Sequence, residues 1–265
     1  MIDLHNHVLP NIDDGSKSLE MSLDMLKSAS DQGITDVVNT VHYQHPKVEG
    51  IDISLDRIQK KILDLQIELD KNNISINLHC GAEVFFLPNL LEIKNDYLST
   101  FLHGKYMLIE FPVHQIPDIQ KQQLFDLKMA GVTPIIAHPE RYKPVQDNVG
   151  IVAKWIEAGC LIQVDAGSPL GMLGSRAKAT SEIIIKNKWC QLIGSDSHDN
   201  KYRNFCLKDC IELIDRYVDY DTSILVNENP RKILNGESIS VNINYEESIY
   251  SRTFFARIKN KIGLS

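Results

Sequence analysis

TPIIAHPERYKPVQDNVGIVAKWIEAGCLIQVD, residues 133–165, carries the fold in miniature. Its opening run, Thr133–Ala137, is short, apolar and β-branched, as a strand buried on both faces reads. An amphipathic stretch over Asn148–Ala158 follows, and a second apolar run, Leu161–Asp165, closes the segment. Strand, helix and strand in that order predict a crossover unit joining two parallel strands.

The same alternation extends in both directions. Toward the N-terminus, strands are expected at Ile2–His5, Thr35–Thr40, Ile74–His79 and Tyr106–Phe111, with helices at Ser18–Gln32, Ile53–Lys71 and Asp118–Ala130. Ser18 suits a helix N-cap and Gly33 a helix stop. Toward the C-terminus come a helix at Ser175–Asn187, a strand at Cys190–Gly194 and a helix at Tyr202–Tyr217. About seven strands alternating with helices call for a parallel sheet covered by helices, either open or closed as a barrel. Neither G-x-G-x-x-G nor G-x-x-x-x-G-K-[ST], the phosphate-cradling patterns that often accompany the open form, is present, which favours the barrel. Beyond Gly236 the alternation stops. Ser238–Asn244 reads as an isolated strand, and Ser251–Ser265 as a basic terminal helix or tail, with docking or membrane-surface binding as the functional alternative.

A chain of 265 residues, 43% hydrophobic and 24% charged, is long enough for one large α/β domain. Its formal charge of −7 sets the overall field against a polyanion, so nucleic acid is not expected as a partner. The cysteines, Cys80, Cys160, Cys190, Cys206 and Cys210, are scattered without a C-x-x-C pair and read as reduced, buried thiols. MIDLHNH lacks the features of a signal peptide and no run approaches the ~18 apolar residues of a membrane span, so a cytoplasmic protein without stable membrane insertion is expected.

Titratable residues gather where strands end. His5 and His7 close the first strand, and their i, i+2 spacing points both to one side. His42 follows the second strand and Glu83 the third, in CGAEV. Glu110 ends the fourth, His138 and Asp165 end the fifth and sixth, and Asp196 and His198 end the seventh, in GSDSHD. In a parallel barrel all these ends open on one face. Imidazole with carboxylate, without thiolate, suits catalytic zinc, manganese or iron, and so many ligands imply two or three ions of the kind used for phosphoryl hydrolysis. Glu83 in its apolar setting would be costly to bury without a cation. Arg141 and Arg203, near His138 and His198, could clamp a phosphate bidentately. His45, His79, His103 and His114 read as ordinary histidines. Cys210 to Arg216 has the Cys-x5-Arg spacing of cysteine-dependent phosphatases, but it lacks glycines, carries Glu212 and Asp215, and falls within a helix.

These motifs resemble the polymerase-and-histidinol-phosphatase (PHP) superfamily, specifically its bacterial protein-tyrosine phosphatase branch of the CpsB/YwqE type, found with capsule and exopolysaccharide systems. MIDLHNHVLPNIDDGSKS with its Asp-Asp-Gly, GAEVFF, LIEF, GVTPIIAHPERY and GSDSHD match in order, over roughly residues 1–235. The resemblance implies a distorted seven-stranded (β/α) TIM-like barrel in residues 1–237, with residues 238–265 as an extension. It also implies three manganese ions, with iron or zinc as alternatives. One would be held by His5, His7, Glu83 and Asp196, a second by Glu83, Glu110 and His138, and a third by Asp14, His42 and His198. Asp14 enters only through the resemblance, and Asp165 has no ligand role in it. Arg141 and Arg203 match the phosphate-binding arginines. The implied chemistry is attack of a metal-bridging hydroxide on phosphotyrosine, without a phosphoenzyme. The implied partner is the phosphotyrosine tail of a membrane-associated tyrosine kinase controlling polysaccharide synthesis. The alternatives are a PHP phosphatase of a small metabolite such as histidinol phosphate and a non-catalytic, metal-loaded docking subunit.

Overall fold

A computed structural model describes residues 1–239 of the chain. All but the first two residues of the expected strand at Ser238–Asn244, and the whole basic stretch Ser251–Ser265, lie outside the described residues. Seven strands lie side by side in chain order: β1 (Ile2–Asn6), β2 (Asp36–Tyr43), β3 (Asn77–Phe85), β4 (Tyr106–Glu110), β5 (Thr133–Ala137), β6 (Leu161–Asp165) and β7 (Leu192–Gly194). Each is parallel to its neighbours. A parallel bridge between Asn6 and Ser197 brings the last strand back to the first. There the Asp196 N–H donates to the His5 carbonyl at 2.8 Å and the His7 N–H to the Ser197 carbonyl at 2.8 Å. The sheet is a barrel, as expected.

Every strand presents two faces, and their chemistry differs. Val37, Ile109, Ile136, Ile162 and Ile193 point outward into the main core, where they meet helical residues such as Leu26, Ile58, Leu124, Trp155 and Ile184. Their neighbours Val38, Leu108, Ile135, Leu161 and Leu192 form a separate buried cluster. Two residues further along the same faces stand Thr40, Glu110, Ala137, Gln163 and Gly194, and then His42, Asp165 and Asp196. The interior therefore passes from aliphatic to ionisable toward the strand C-termini. No helix among the described residues is long and apolar enough to cross a membrane.

Several expected boundaries shift, and those nearest the site matter most. β2 and β3 run on to Tyr43 and Phe85, so His42 and Glu83 are strand residues rather than followers of strands. The helix expected at Tyr202–Tyr217 begins only at Leu207 and ends at Ile214. Before it, an Asp199 carboxylate oxygen accepts the N–H groups of Lys201 and Tyr202 at 2.7 and 2.6 Å, and this side-chain alternative to helical hydrogen bonding holds a turn.

Candidate metal centre

β-Sheet register sets the first contacts of the site. His42 on β2 pairs with Glu83 on β3, and Phe85 with Glu110 on β4, so side chains distant in sequence become lateral neighbours. His42 Nδ1 lies 3.0 Å from Glu83 Oε2. Across the seam, His5 Nε2 is 3.2 Å from Glu83 Oε1 and 3.3 Å from Asp196 Oδ1, and His7 Nε2 is 3.4 Å from Glu83 Oε2 and from Asp196 Oδ1.

The donor atoms fall into three overlapping groups, each within 4.8 Å of one another: His5, His7, Glu83 and Asp196; His42, Glu83 and Glu110; and His7, Asp14, His42 and His198. All nine candidate ligands reach this one site. The middle group gathers His42 where the resemblance implied His138. His138 Nε2 nevertheless faces the same two acids, 2.9 Å from Glu83 Oε1 and 3.9 Å from Glu110 Oε1. Asp165 belongs to none of the groups.

The chemistry of these residues fits divalent cations. His5 Nε2, His7 Nε2, His42 Nδ1, Asp14 Oδ1, Glu110 Oε2 and Asp196 Oδ1 are buried and make no hydrogen bond. Buried polar atoms are rarely left so, and cations shared among the three groups would satisfy all of them. Burial alone would make the imidazolium of His5 unfavourable, yet Glu83 and Asp196 hold its pKa up at about 9. Burial and the Glu83 charge push Glu110 up to about 7. So many carboxylates and imidazoles crowded out of water call for positive charge between them. One cation of the chain's own is already there: Lys47 Nζ is 2.6 Å from Asp14 and 3.1 Å from His42 Nε2.

The second ring nitrogens of His5, His7 and His198 are held from behind. His5 Nδ1 faces Gln163 Oε1 at 2.9 Å, His7 Nδ1 faces Asp13 Oδ2 at 2.8 Å, and His198 Nδ1 faces the Asp196 carbonyl at 2.8 Å. Donation of a proton to these oxygens leaves each Nε2 as a lone-pair donor toward the centre. His138 and Asp196 have φ of 31° and 46°, left-handed values uncommon outside glycine, and such strain gathers at functional sites.

Asp-Asp-Gly acquires a physical meaning here. Asp13 holds His7 and also accepts the His42 N–H at 3.2 Å. Asp14 Oδ1 lies 3.0 Å from His42 Nε2 and 3.4 Å from His198 Nε2. A Cβ on Gly15 would stand 2.1 Å from the His7 carbonyl oxygen, so only glycine fits against that strand end.

Asp196 faces two ways. Oδ1 points to the histidines, while Oδ2 pairs with Arg141 Nη1 and, at 2.6 Å, with Arg203 Nη2. Both arginines thus border the centre. Arg141 Nη1 also approaches Asp165 Oδ2 at 3.5 Å, and the Asp165 N–H donates to the buried Glu140 carboxyl at 3.0 Å. Asp13, Gln163 and His45 were missed as neighbours of the site; His45 Nε2 lies 3.6 Å from Glu110 Oε2. Only Asp13 had a sequence signal, its place in the Asp-Asp-Gly motif. His79 pairs with Asp36 and His103 with the Ile233 carbonyl, both apart from the centre. Cys210 is buried in the helix Leu207–Ile214 and burial pushes its thiol pKa well up, which removes it as a nucleophile.

A parallel barrel with clustered imidazoles and acids at its strand ends and two adjoining arginines defines the class of metal-dependent hydrolase barrels. More narrowly, a family model for capsular polysaccharide synthesis, CpsB/CapC, matches residues 1–235, and the chain belongs to that family. It is 32% identical over 244 residues to the putative tyrosine-protein phosphatase CapC of Staphylococcus aureus, covering 92% of this chain and 94% of that one. It is 27% identical to the tyrosine-protein phosphatase CpsB of Streptococcus pneumoniae, over 88% of this chain and 98% of that relative. A solved structure from work on YwqE of Bacillus subtilis and CpsB of Streptococcus pneumoniae, described as unique metal-dependent tyrosine phosphatases, superposes with a TM-score of 0.85 at 27% identity. That match covers 91% of this chain and 96% of the other.

Proposed function

We propose that this chain is a metal-dependent phosphatase of protein phosphotyrosine and that its substrate is the tyrosine-phosphorylated tail of a membrane-associated kinase governing capsule or exopolysaccharide synthesis. The observation that carries the reading is the set of buried, hydrogen-bond-free donor atoms converging beside Arg141 and Arg203. The names of the relatives support the choice of tyrosine and the link to capsule.

In this reading His5, His7, Glu83 and Asp196 would hold one cation, and Glu83 and Glu110 would hold a second with His42 or His138. Asp14, His42 and His198 would hold a third. Manganese is the proposed metal, with iron and zinc also suited to the donor set. Such ions would acidify water and neutralise phosphoryl oxygens. The chain's residues do the rest: Arg141 and Arg203 bind and orient the phosphate, and Asp13 and Gln163 hold His7 and His5 in the ligating tautomer. An oxygen from water forms the new bond to phosphorus as the bond to the aryl oxygen breaks. Tyrosinate is a good leaving group, with a pKa of ~10, so protonation can follow departure. The barrel, residues 1–237, is the catalytic domain and 238–265 an extension of it. Five buried free thiols support residence in a reducing cytoplasm.

The test is phosphate release from a phosphotyrosyl peptide and from histidinol phosphate, before and after chelation and manganese restoration, with metal analysis of the purified protein. Manganese-dependent turnover that favours the peptide and is abolished in His198→Ala is expected. A preference for histidinol phosphate would discard the protein substrate, and full activity after complete chelation would discard the metal.

A further inference from the structure

Between the ends of β2 and β3 an apolar groove of about 550 Å³ adjoins the centre, lined by His45, Pro46, Ile51, Ile53, Phe85 and Leu87 among others. Ile51 and Leu87 are each 38% exposed, which leaves apolar surface open to a ligand. His45 lines the groove and also touches the metal centre, with its Nε2 3.6 Å from Glu110 Oε2. The His42 and His45 rings stack at 4.5 Å and 26°, and His45 in turn meets the Phe85 ring edge-on at 4.6 Å and 77°. Phe85 follows Glu83 by two residues on β3, so by strand periodicity it projects from the same face, one step nearer the mouth. A backbone contact fixes the His45 ring. Its Nδ1 accepts the Lys47 N–H at 2.9 Å, which places its proton on Nε2 toward Glu110.

We infer that this groove is the leaving-group subsite: it seats the aryl ring of a phosphomonoester whose phosphate lies at the metal centre, the His45 and Phe85 rings forming its wall. The inference rests on the phosphatase reading above and adds to it the feature that selects an aryl over an alkyl ester. A phosphoseryl or other alkyl group is too short and too polar to cover these rings, whereas an arene carried on the phosphate oxygen reaches them and gains offset or edge-to-face contact.

Binding of non-hydrolysable analogues separates this inference from the reaction. The manganese-loaded full chain is titrated calorimetrically with phenylphosphonate and with methylphosphonate. Wild type should bind the phenyl compound about tenfold more tightly, the worth of one well-packed ring. Phe85→Ala should bring the two affinities together while leaving that for methylphosphonate unchanged. Ile51→Asn, at an exposed position that spares the fold, should erode the same preference in part. Equal affinities in wild type, or binding of neither compound, would overturn the subsite. So would a Phe85→Ala protein that weakens both ligands alike, because the ring would then act through the metal centre. An intact phenyl preference without turnover of phosphotyrosyl peptide would reject the phosphatase reading and leave the subsite standing. Turnover without the preference would do the reverse.

Discussion

Gly15→Ala should damage the site through one methyl group. The added Cβ would meet the His7 carbonyl oxygen at 2.1 Å and the His7 Cβ at 2.4 Å, and both belong to the strand end that carries a proposed ligand. Ordinary contact between such atoms needs a separation more than about 1 Å larger, so the Asp13–Gly15 turn or His7 must retreat by that order. Neither can move alone: the Ser16 N–H donates to the same His7 carbonyl at 3.0 Å, and Asp13 holds the His7 ring at 2.8 Å. Overpacking of this kind costs about 1–3 kcal/mol of stability. A displacement near 1 Å at a catalytic constellation lowers the rate by about 10²-fold, and Asp14 moves with the turn. The assay combines urea unfolding of the chelated protein, a manganese titration and kcat/KM on p-nitrophenyl phosphate. A lower unfolding midpoint, weaker manganese binding and the loss of rate are expected together. A Gly15→Ala protein that binds manganese and turns over as wild type would refute the claim that close approach to His7 is why glycine stands there.

Asp13→Asn keeps the size of the side chain but removes the charge behind the imidazole of His7, and a carboxylate behind a ligating histidine is typically worth 10–100-fold in metal affinity; a manganese titration showing no change would reject the positioning role of Asp13. Burial pushes the thiols of Cys80, Cys160 and Cys190 up to about 12 from the ordinary 9, so the folded protein keeps protons that the unfolded chain sheds first. Stability should therefore fall as pH rises from 9 toward 12, thiol labelling at pH 8 should await unfolding, and Cys210→Ser should retain activity; rapid labelling of the folded protein or loss of activity would contradict this.

The barrel was legible because its strands are apolar on both faces and its helices on one. Strand ends were less so, for a reason the interior supplies. As β2 and β3 approach the mouth, their inward positions turn polar at Thr40, His42 and Glu83, and the apolar signal of a buried strand fades while the pairing continues. Gly81 in β3 looks like a break in sequence, but it is a fitting requirement: a Cβ there would press on Val38 at 3.1 Å and Phe101 at 3.2 Å. The convergence of His5, His7, His42, Glu83, Glu110, His138, Asp196 and His198 could be read from their places at strand ends, whereas Asp14 depended on the family resemblance. The supporting contact of Gln163 was invisible, because it faces His5 across 158 residues of sequence and no local pattern marks it.

Closure of the barrel and assembly of the centre are the same event. The seam between β1 and β7 is made by the backbone of the proposed ligands themselves, Asp196 to His5 and His7 to Ser197. It is reinforced by the Ser195 N–H, 3.2 Å from a buried Asp3 carboxylate oxygen. A chain that has folded strands one to six but not joined the seventh to the first lacks Asp196 and His198, and with them part of two of the three donor groups. The left-handed backbone of Asp196, a conformation costing about 1–3 kcal/mol, is sustained only while that seam holds. Because both edges contribute proposed ligands, bound cations would tie the first strand to the last, and metal binding free energy would then act directly on barrel closure. The reverse also follows, since any substitution that opens the seam withdraws ligands before it exposes the main core.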